Sequence, residues 1–248
     1  MLRIGTWNVG YARGPANGRR RAVMEAIPAD IWVLTETHDA LSPGRDFAVV
    51  STCQRPLKDG VNIGSRWVSV WSRFPIVPVT VDNADLERTA IAQVETPIGA
   101  LLIFGTVMPW RGDADRNYVH AIEQQAENWR DLAVRFPDMP LCVAGDFNAD
   151  MAVSPVTYAS KEAYDRLVRA LKDRSLHCVT APRRDAVPPM IDHIALPDAW
   201  RDRAAVAACW KEHIGSPRLS DHAAVVVAIA SEPLSLYNHR MAASDLYD

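Results

Sequence analysis

The sequence has no apolar run approaching the roughly 20 residues a membrane-spanning helix needs, so no membrane span is expected. It has only four cysteines, Cys53, Cys142, Cys178 and Cys209. They are widely spaced, with no CxxC pair and no Cys/His grouping of zinc type. Cys142 sits between Leu141 and Val143, the setting of a buried free thiol. Positive charge is not in excess either: 27 Lys and Arg stand against 30 Asp and Glu, for a net −3. No overall field therefore draws in nucleic acid. That balance does not exclude a phosphate-bearing substrate, because acidic groups that hold a divalent cation reverse the local sign. Internal repeats and low-complexity linkers are missing. The residues after Met1 lack the layout of an export signal, so a reducing, cytoplasmic setting is expected.

What is present is an ordinary globular composition, 48% hydrophobic and 23% charged over 248 residues, long enough to bury a sizeable core. Short apolar runs recur along it. Leu2 to Trp7 reads as a buried strand that ends at Asn8, and Ile31 to Leu34 as a second that delivers Glu36 just past its end. Trp67 to Trp71, Ile91 to Thr96, Ala100 to Val107, Leu141 to Ala144, Ile191 to Leu196, Ala204 to Cys209 and Ala223 to Ile229 read as further strands. Helices are expected from Arg19 to Ile27, from about Asp115 to Phe136 and from Lys161 to Lys172. In the middle one, Tyr118, Ile122, Ala126, Trp129, Leu132 and Phe136 form one apolar stripe that Pro137 ends. Most strands follow one another without a helical crossover. That order favours an antiparallel sheet sandwich with outer helices over a doubly wound parallel sheet. One domain is expected over 1–230, followed by a polar tail over 231–248.

Chemically capable residues gather where the apolar runs end, the position at which a core holds a polar group rigidly while it still meets solvent. Gly-Asp-Phe-Asn (145–148) carries the most information. In an extended stretch Asp146 and Asn148 point to one face, where a carboxylate and a carboxamide together can orient a water and hold a phosphate. Alone the tetrapeptide is equally an Asx turn after a strand. Glu36 reads as a ligand for magnesium, which takes one or two carboxylates plus water and substrate oxygens. Ser-Asp-His (220–222) pairs with Asp192: a carboxylate fixes the tautomer of His222 and raises its basicity. Asp221 is a second candidate metal contact. His38 reads as a surface or turn residue, and His193 as packing or surface. The candidates are rich in oxygen and supply one plausible histidine, which disfavours zinc.

In chain order Thr-Trp-Asn (6–8), Thr-Glu (35–36), Ser-Arg-Phe-Pro-Ile (72–76), Gly-Asp-Phe-Asn (145–148), Ile-Asp-His (191–193) and Ser-Asp-His (220–222) resemble the endonuclease/exonuclease/phosphatase superfamily, the deoxyribonuclease-I-like proteins. The resemblance implies an α+β fold: a four-layer α/β/β/α sandwich of two mixed, mainly antiparallel sheets with helices outside. It implies that Asn8 and Glu36 contact Mg2+, or Mn2+, with Asp221 near the metal. It also implies that Asp146 and Asn148 handle nucleophile and phosphate, and that Asp192 orients His222. The sequence departs from the family at two places. Val107 or Met108 falls where a phosphate-binding His or Tyr usually stands, with Trp110, Arg111 or His120 as possible replacements. Gly10 stands where apurinic endonucleases carry an acidic residue.

The expected reaction is metal-dependent hydrolysis of a phosphodiester by in-line attack of water. Nucleic acid is slightly favoured as substrate, because Arg19-Arg20-Arg21 and the segment from Trp110 and Arg111 to Arg116 offer phosphate contacts and stacking. The arginine triplet is equally readable as a solvated helix face. Alternatives are a phosphomonoesterase acting on a small molecule or lipid headgroup, and, in another class, a catalytically inactive binding module. No protein partner is inferable.

Overall fold

The structure, a computed structural model, describes residues 1–11, 14–57, 60–110, 112–113, 116–151, 160–181, 190–211 and 219–232. Arg111 and nearly all of the expected tail lie outside the described residues. In chain order the elements are β1 (Leu2–Asn8), α1 (Asn17–Ala26), β2 (Ile31–His38), β3 (Ala48–Ser51), β4 (Gln54–Leu57), β5 (Gly60–Ser72) and β6 (Ile76–Pro78). They continue with β7 (Thr89–Thr96), β8 (Gly99–Val107), α2 (Tyr118–Arg135), β9 (Leu141–Asp146), α3 (Lys161–Asp173), β10 (Leu176–Cys178), β11 (Asp192–Pro197), β12 (Ala204–Trp210) and β13 (Ala224–Ile229).

Two sheets form, in the orders β12-β13-β1-β2-β5-β3, with β4 on β5, and β10-β11-β9-β8-β7-β6. Each contains one parallel pair, β1 with β2 and β8 with β9, and every other pairing is antiparallel. A parallel pair needs a crossover, and α1 and α2 supply the two. Both sheets are mixed and mainly antiparallel, as the sequence reading expects.

The packing makes four layers. Between the sheets, Leu2, Ile4, Ile31, Val33, Val68 and Val70 meet Ala92, Leu101, Ile103, Cys142, Ala144 and Ile194. On the outer face of the second sheet, Leu102, Phe104 and Val143 pack with Ile122, Trp129, Leu132, Leu167 and Leu171 of α2 and α3. On the outer face of the first, Trp7, Trp32, Leu34 and Trp71 take Val23 and Met24 of α1. Alternation along each strand thus feeds two apolar layers, which is why the central strands are apolar throughout.

The consequence for the site is directional. The parallel pairs bring the C-terminal ends of β1, β2, β8 and β9 to one rim of the sandwich. β11 and β13 run antiparallel to β9 and β1, so their N-terminal ends arrive at the same rim: Asp192 sits opposite Asp146, and Val225 opposite Thr6. Gly145 is needed there. Its φ is +135°, and a Cβ on it would lie 2.0 Å from the carbonyl oxygen of Thr106 on the neighbouring β8. Backbone cannot yield as a flexible side chain does. Gly145→Ala should therefore cost about 3 kcal/mol or more in urea unfolding. A loss below about 1 kcal/mol would show that β8 and β9 separate easily.

Two expectations are revised. Glu36 does not follow β2 but lies inside it. The register passes from Thr35 opposite Val68 to Thr37 opposite Arg66, with Glu36 at φ +46° between them. The kink turns its side chain to the rim. The arginine triplet is no phosphate-facing stripe either. Buried Arg20 donates to the carbonyl of Leu219 and Arg21 to that of Ser42, leaving only Arg19 exposed. Arg116 is likewise committed, to Asp85 and Glu87. No helix among the described residues is long and apolar enough to cross a membrane.

Candidate active site

At the shared rim Asp192 is the hub. It is fully buried, its Oδ1 accepts the backbone N–H of Asn8 at 3.0 Å, and its Oδ2 lies 2.5 Å from Nδ1 of His222. His222 is anchored through its backbone: its N–H donates to Ser220 Oγ, and its carbonyl accepts the indole N–H of Trp7. Ser220 in turn donates to the carbonyl of Asn8, so the Ser-Asp-His segment is tied to the end of β1. Burial alone would push the imidazole pKa down. The charge and hydrogen bond of Asp192 overcome this and raise it to about 10, so His222 is a cation at neutral pH.

Asp146 stands beside this pair. Burial first, and the charge of Asp192 second, push its carboxyl pKa up to about 7. Its Oδ1 accepts the N–H of Asn148 at 2.9 Å and its Oδ2 accepts Asn8 Nδ2 at 3.0 Å. The same Nδ2 donates to Glu36 Oε1 at 3.1 Å, so Asn8 bridges the two carboxyls. Tyr11 is hydrogen-bonded to Glu36; burial first and that carboxylate second raise its phenol pKa.

Asn148 departs from the extended geometry expected of it. It sits at φ +45°, and its Nδ2 donates to the carbonyl of Met108 at 2.7 Å. The amide therefore ties the end of β8 to the turn after β9. Val107 and Met108 are buried apolar residues, and His120 is exposed at the start of α2. Tyr118 reaches this region instead: its hydroxyl donates to the carbonyl of Phe147. Burial, and then the charge of Asp146, raise the pKa of that hydroxyl. His193 is pure packing, fully buried between Thr180 Oγ1 and the carbonyl of Ala149, with burial lowering its pKa to about 4.

Asp146, Asp192 and His222 offer ligand atoms all within 4.8 Å of one another, a spacing that could hold a metal ion. Asp192 and His222 already engage each other across 2.5 Å, and a protonated imidazole cannot ligate. The half-buried carboxylate of Glu36 is better suited. No Lys or Arg pairs with it among the described residues, and exposed Asp221 adds negative charge near His222. Carboxyls gather around His222 at this rim, and the donors are oxygens, which fits a hard divalent ion.

A rim of strand ends that gathers an Asp–His pair, a second buried Asp and an Asn-bridged Glu has one further mark. The family model for endonuclease/exonuclease/phosphatase proteins matches residues 5–222. The chain belongs to that family. Solved structures repeat the family fold. The endonuclease domain of TRAS1, a telomere-specific non-LTR retrotransposon, superposes with a TM-score of 0.65 at 13% identity, over 92% of this chain and 98% of that one. A Neisseria 3' phosphatase bound to a product DNA hairpin gives 0.65 at 18% identity, over 92% and 99%. A Bacteroides thetaiotaomicron mannosyl-6-phosphatase gives 0.59 at 16% identity, over 93% and 100%. No curated protein matches the sequence significantly. The family identity makes the chain a phosphoesterase by kind.

The structure brings Asn8, Glu36, Asp146, Asn148, Asp192 and His222 together at one rim, with Asp221 exposed beside His222. Trp110 lies farther along, 40% exposed, and Arg111 falls outside the described residues. The sequence reading missed Tyr11, Ser220 and Tyr118. Ser220 alone had a signal, as the first residue of Ser-Asp-His.

Proposed function

We propose that the protein is a divalent-metal-dependent phosphodiesterase that hydrolyses nucleic acid by in-line attack of water. The observation that carries this reading is the gathering of Asp146 with the Asp192–His222 pair, itself joined at 2.5 Å, so that the three offer ligand atoms within 4.8 Å of one another on a rim where Asn8 bridges Asp146 to Glu36. Glu36, with Asn8 and Asp221, would hold the cation, Mg2+ or Mn2+, which supplies positive charge to the phosphate oxygens and the leaving group. Asp146, whose pKa near neutrality suits proton transfer, orients and deprotonates the water. Charged His222 donates to a phosphoryl oxygen and stabilises the crowded transition state, held in register by Asp192. The oxygen of Asn148 positions the phosphate or the water, and Trp110 and Arg111 contact the substrate. A cytoplasmic setting goes with this reading.

The test is a hydrolysis screen with Mg2+ or Mn2+ on single- and double-stranded DNA, RNA, an abasic duplex and phosphomonoesters. The expected result is cleavage of a polynucleotide that EDTA abolishes. Release of phosphate from monoesters alone would make the protein a phosphatase. If nothing is cut and calorimetry finds no cation binding, the inactive binding module replaces this reading.

A further inference from the structure

Beside Glu36 runs a cleft that the hydrolytic residues do not occupy. It has a volume of about 480 Å³ and is lined by Arg55, Trp67, Arg88, Trp110 and Arg116, with Glu87 and Asp113 on its acidic side. The rings and guanidiniums are interleaved. Arg55 lies 4.0 Å from the ring centre of Tyr11 and 3.9 Å from that of Trp67. Arg88 lies 4.4 Å from Trp67 and 5.1 Å from Trp110, and the two indoles are 6.2 Å apart. Arg88 is 6% exposed and holds Asp113 at 2.5 Å, while its Nε has no hydrogen-bond partner among the described residues.

The cleft is bolted to the hydrolytic rim through the backbone. Tyr11 N–H donates to the carbonyl of Glu36, Val107 N–H to that of Arg88, and Met108 N–H to that of Asp146. Any ligand in it is therefore held in fixed relation to Asp146 and Glu36. Its chemistry is flat aromatic faces beside the guanidiniums of Arg55 and Arg88, which suits a planar ring carried next to an anionic oxygen. Its volume falls in the range of small-ligand pockets and suits one nucleotide rather than the width of a double helix. In a duplex each base already stacks on its neighbours, so only an unpaired base can offer its face to Trp110 without an unstacking cost.

We propose that this cleft binds an unpaired nucleobase and its adjoining phosphate, stacking the base on the exposed ring of Trp110, so that the preferred substrate is a single-stranded polynucleotide. This rests on the phosphodiesterase reading for its place in a reaction, but binding can be measured separately. The experiment is fluorescence anisotropy with two labelled ten-unit strands of equal phosphate number, oligothymidylate and a base-free tetrahydrofuran strand. Asp146→Asn protein is used so that neither strand is cut. Oligothymidylate should bind about tenfold more tightly than the base-free strand. Adding Trp110→Ala should erase that preference while leaving the affinity for the base-free strand unchanged, and Trp110→Phe should restore most of it. Equal affinity for both strands, or a preference undiminished by Trp110→Ala, would overturn the proposal. Failure of the wild-type protein to cut any strand, with the base preference intact, would fault the phosphodiesterase reading and leave the cleft's occupant supported.

Discussion

Asp146→Asn should lower hydrolysis by about three orders of magnitude and, in metal-free protein, raise stability above pH 7. The loss of activity follows from removing the group that takes the proton of the attacking water. The gain in stability follows from burial. Asp146 is 1% exposed, and its carboxyl pKa is raised from an ordinary 3.8 to about 7. Between those values the folded protein holds a proton that the unfolded chain has released. The wild type therefore loses stability as pH rises through that window, and a neutral amide does not. Asn keeps an acceptor for the N–H of Asn148 but gives up the bond from Asn8 Nδ2, a cost of about 1 kcal/mol. Urea unfolding in EDTA should find the variant level with the wild type or weaker at pH 4. At pH 8 it should be stronger by roughly 2 kcal/mol. A variant weaker by the same amount at both values would mean that Asp146 is not held against its charge.

Much of this arrangement is legible in the residues because one physical rule produced it. A strand buried on both faces is mostly apolar, so a carboxylate or carboxamide at its end marks the rim: Asn8 and Asp146 close β1 and β9, and Asp192 opens β11. Glu36 was found for a partly wrong reason: β2 runs on past it, and only its left-handed φ turns the side chain outward. No periodicity encodes such a kink. The strands β3, β4, β6 and β10 escaped because each has three or four residues, too few for alternation to show. Of the cleft, only Trp110 and Arg116 were legible, within a segment offering stacking and phosphate contacts. Arg55, Trp67, Arg88 and Trp110 come from a hairpin, a strand start and a loop, and nothing in their spacing says that guanidinium and indole will stack. Arg20 shows the same limit from the other side: a triplet of arginines looks solvated until Leu219 supplies a carbonyl from across the chain.

Asp192→Asn should be nearly as damaging to turnover, by about 10⁴-fold, although the side chain never meets the substrate. An amide can still accept the N–H of Asn8 with its oxygen, but it then presents an N–H to Nδ1 of His222. The ring must turn that nitrogen into an acceptor, and the imidazolium loses the charge that sustains it. Histidine NMR in metal-free protein separates this from simple misfolding. In the wild type the His222 resonance should titrate near pH 10, and in the variant well below that, with only Asp146 and Asp221 left to raise it. A raised histidine pKa contributes stability that is fully present below 6.5 and is lost as pH rises through about 10. The variant should therefore be less stable than the wild type by about 3–5 kcal/mol at pH 6, with the gap narrowing steadily towards pH 10. Wild-type His222 titrating near 6.5 would sink the account, because an imidazole neutral at working pH could not stabilise phosphoryl charge as proposed. Should the NMR shift appear without a fall in activity, the pair would hold the rim together but take no part in hydrolysis. Asp146 would then be left to act with Glu36 alone.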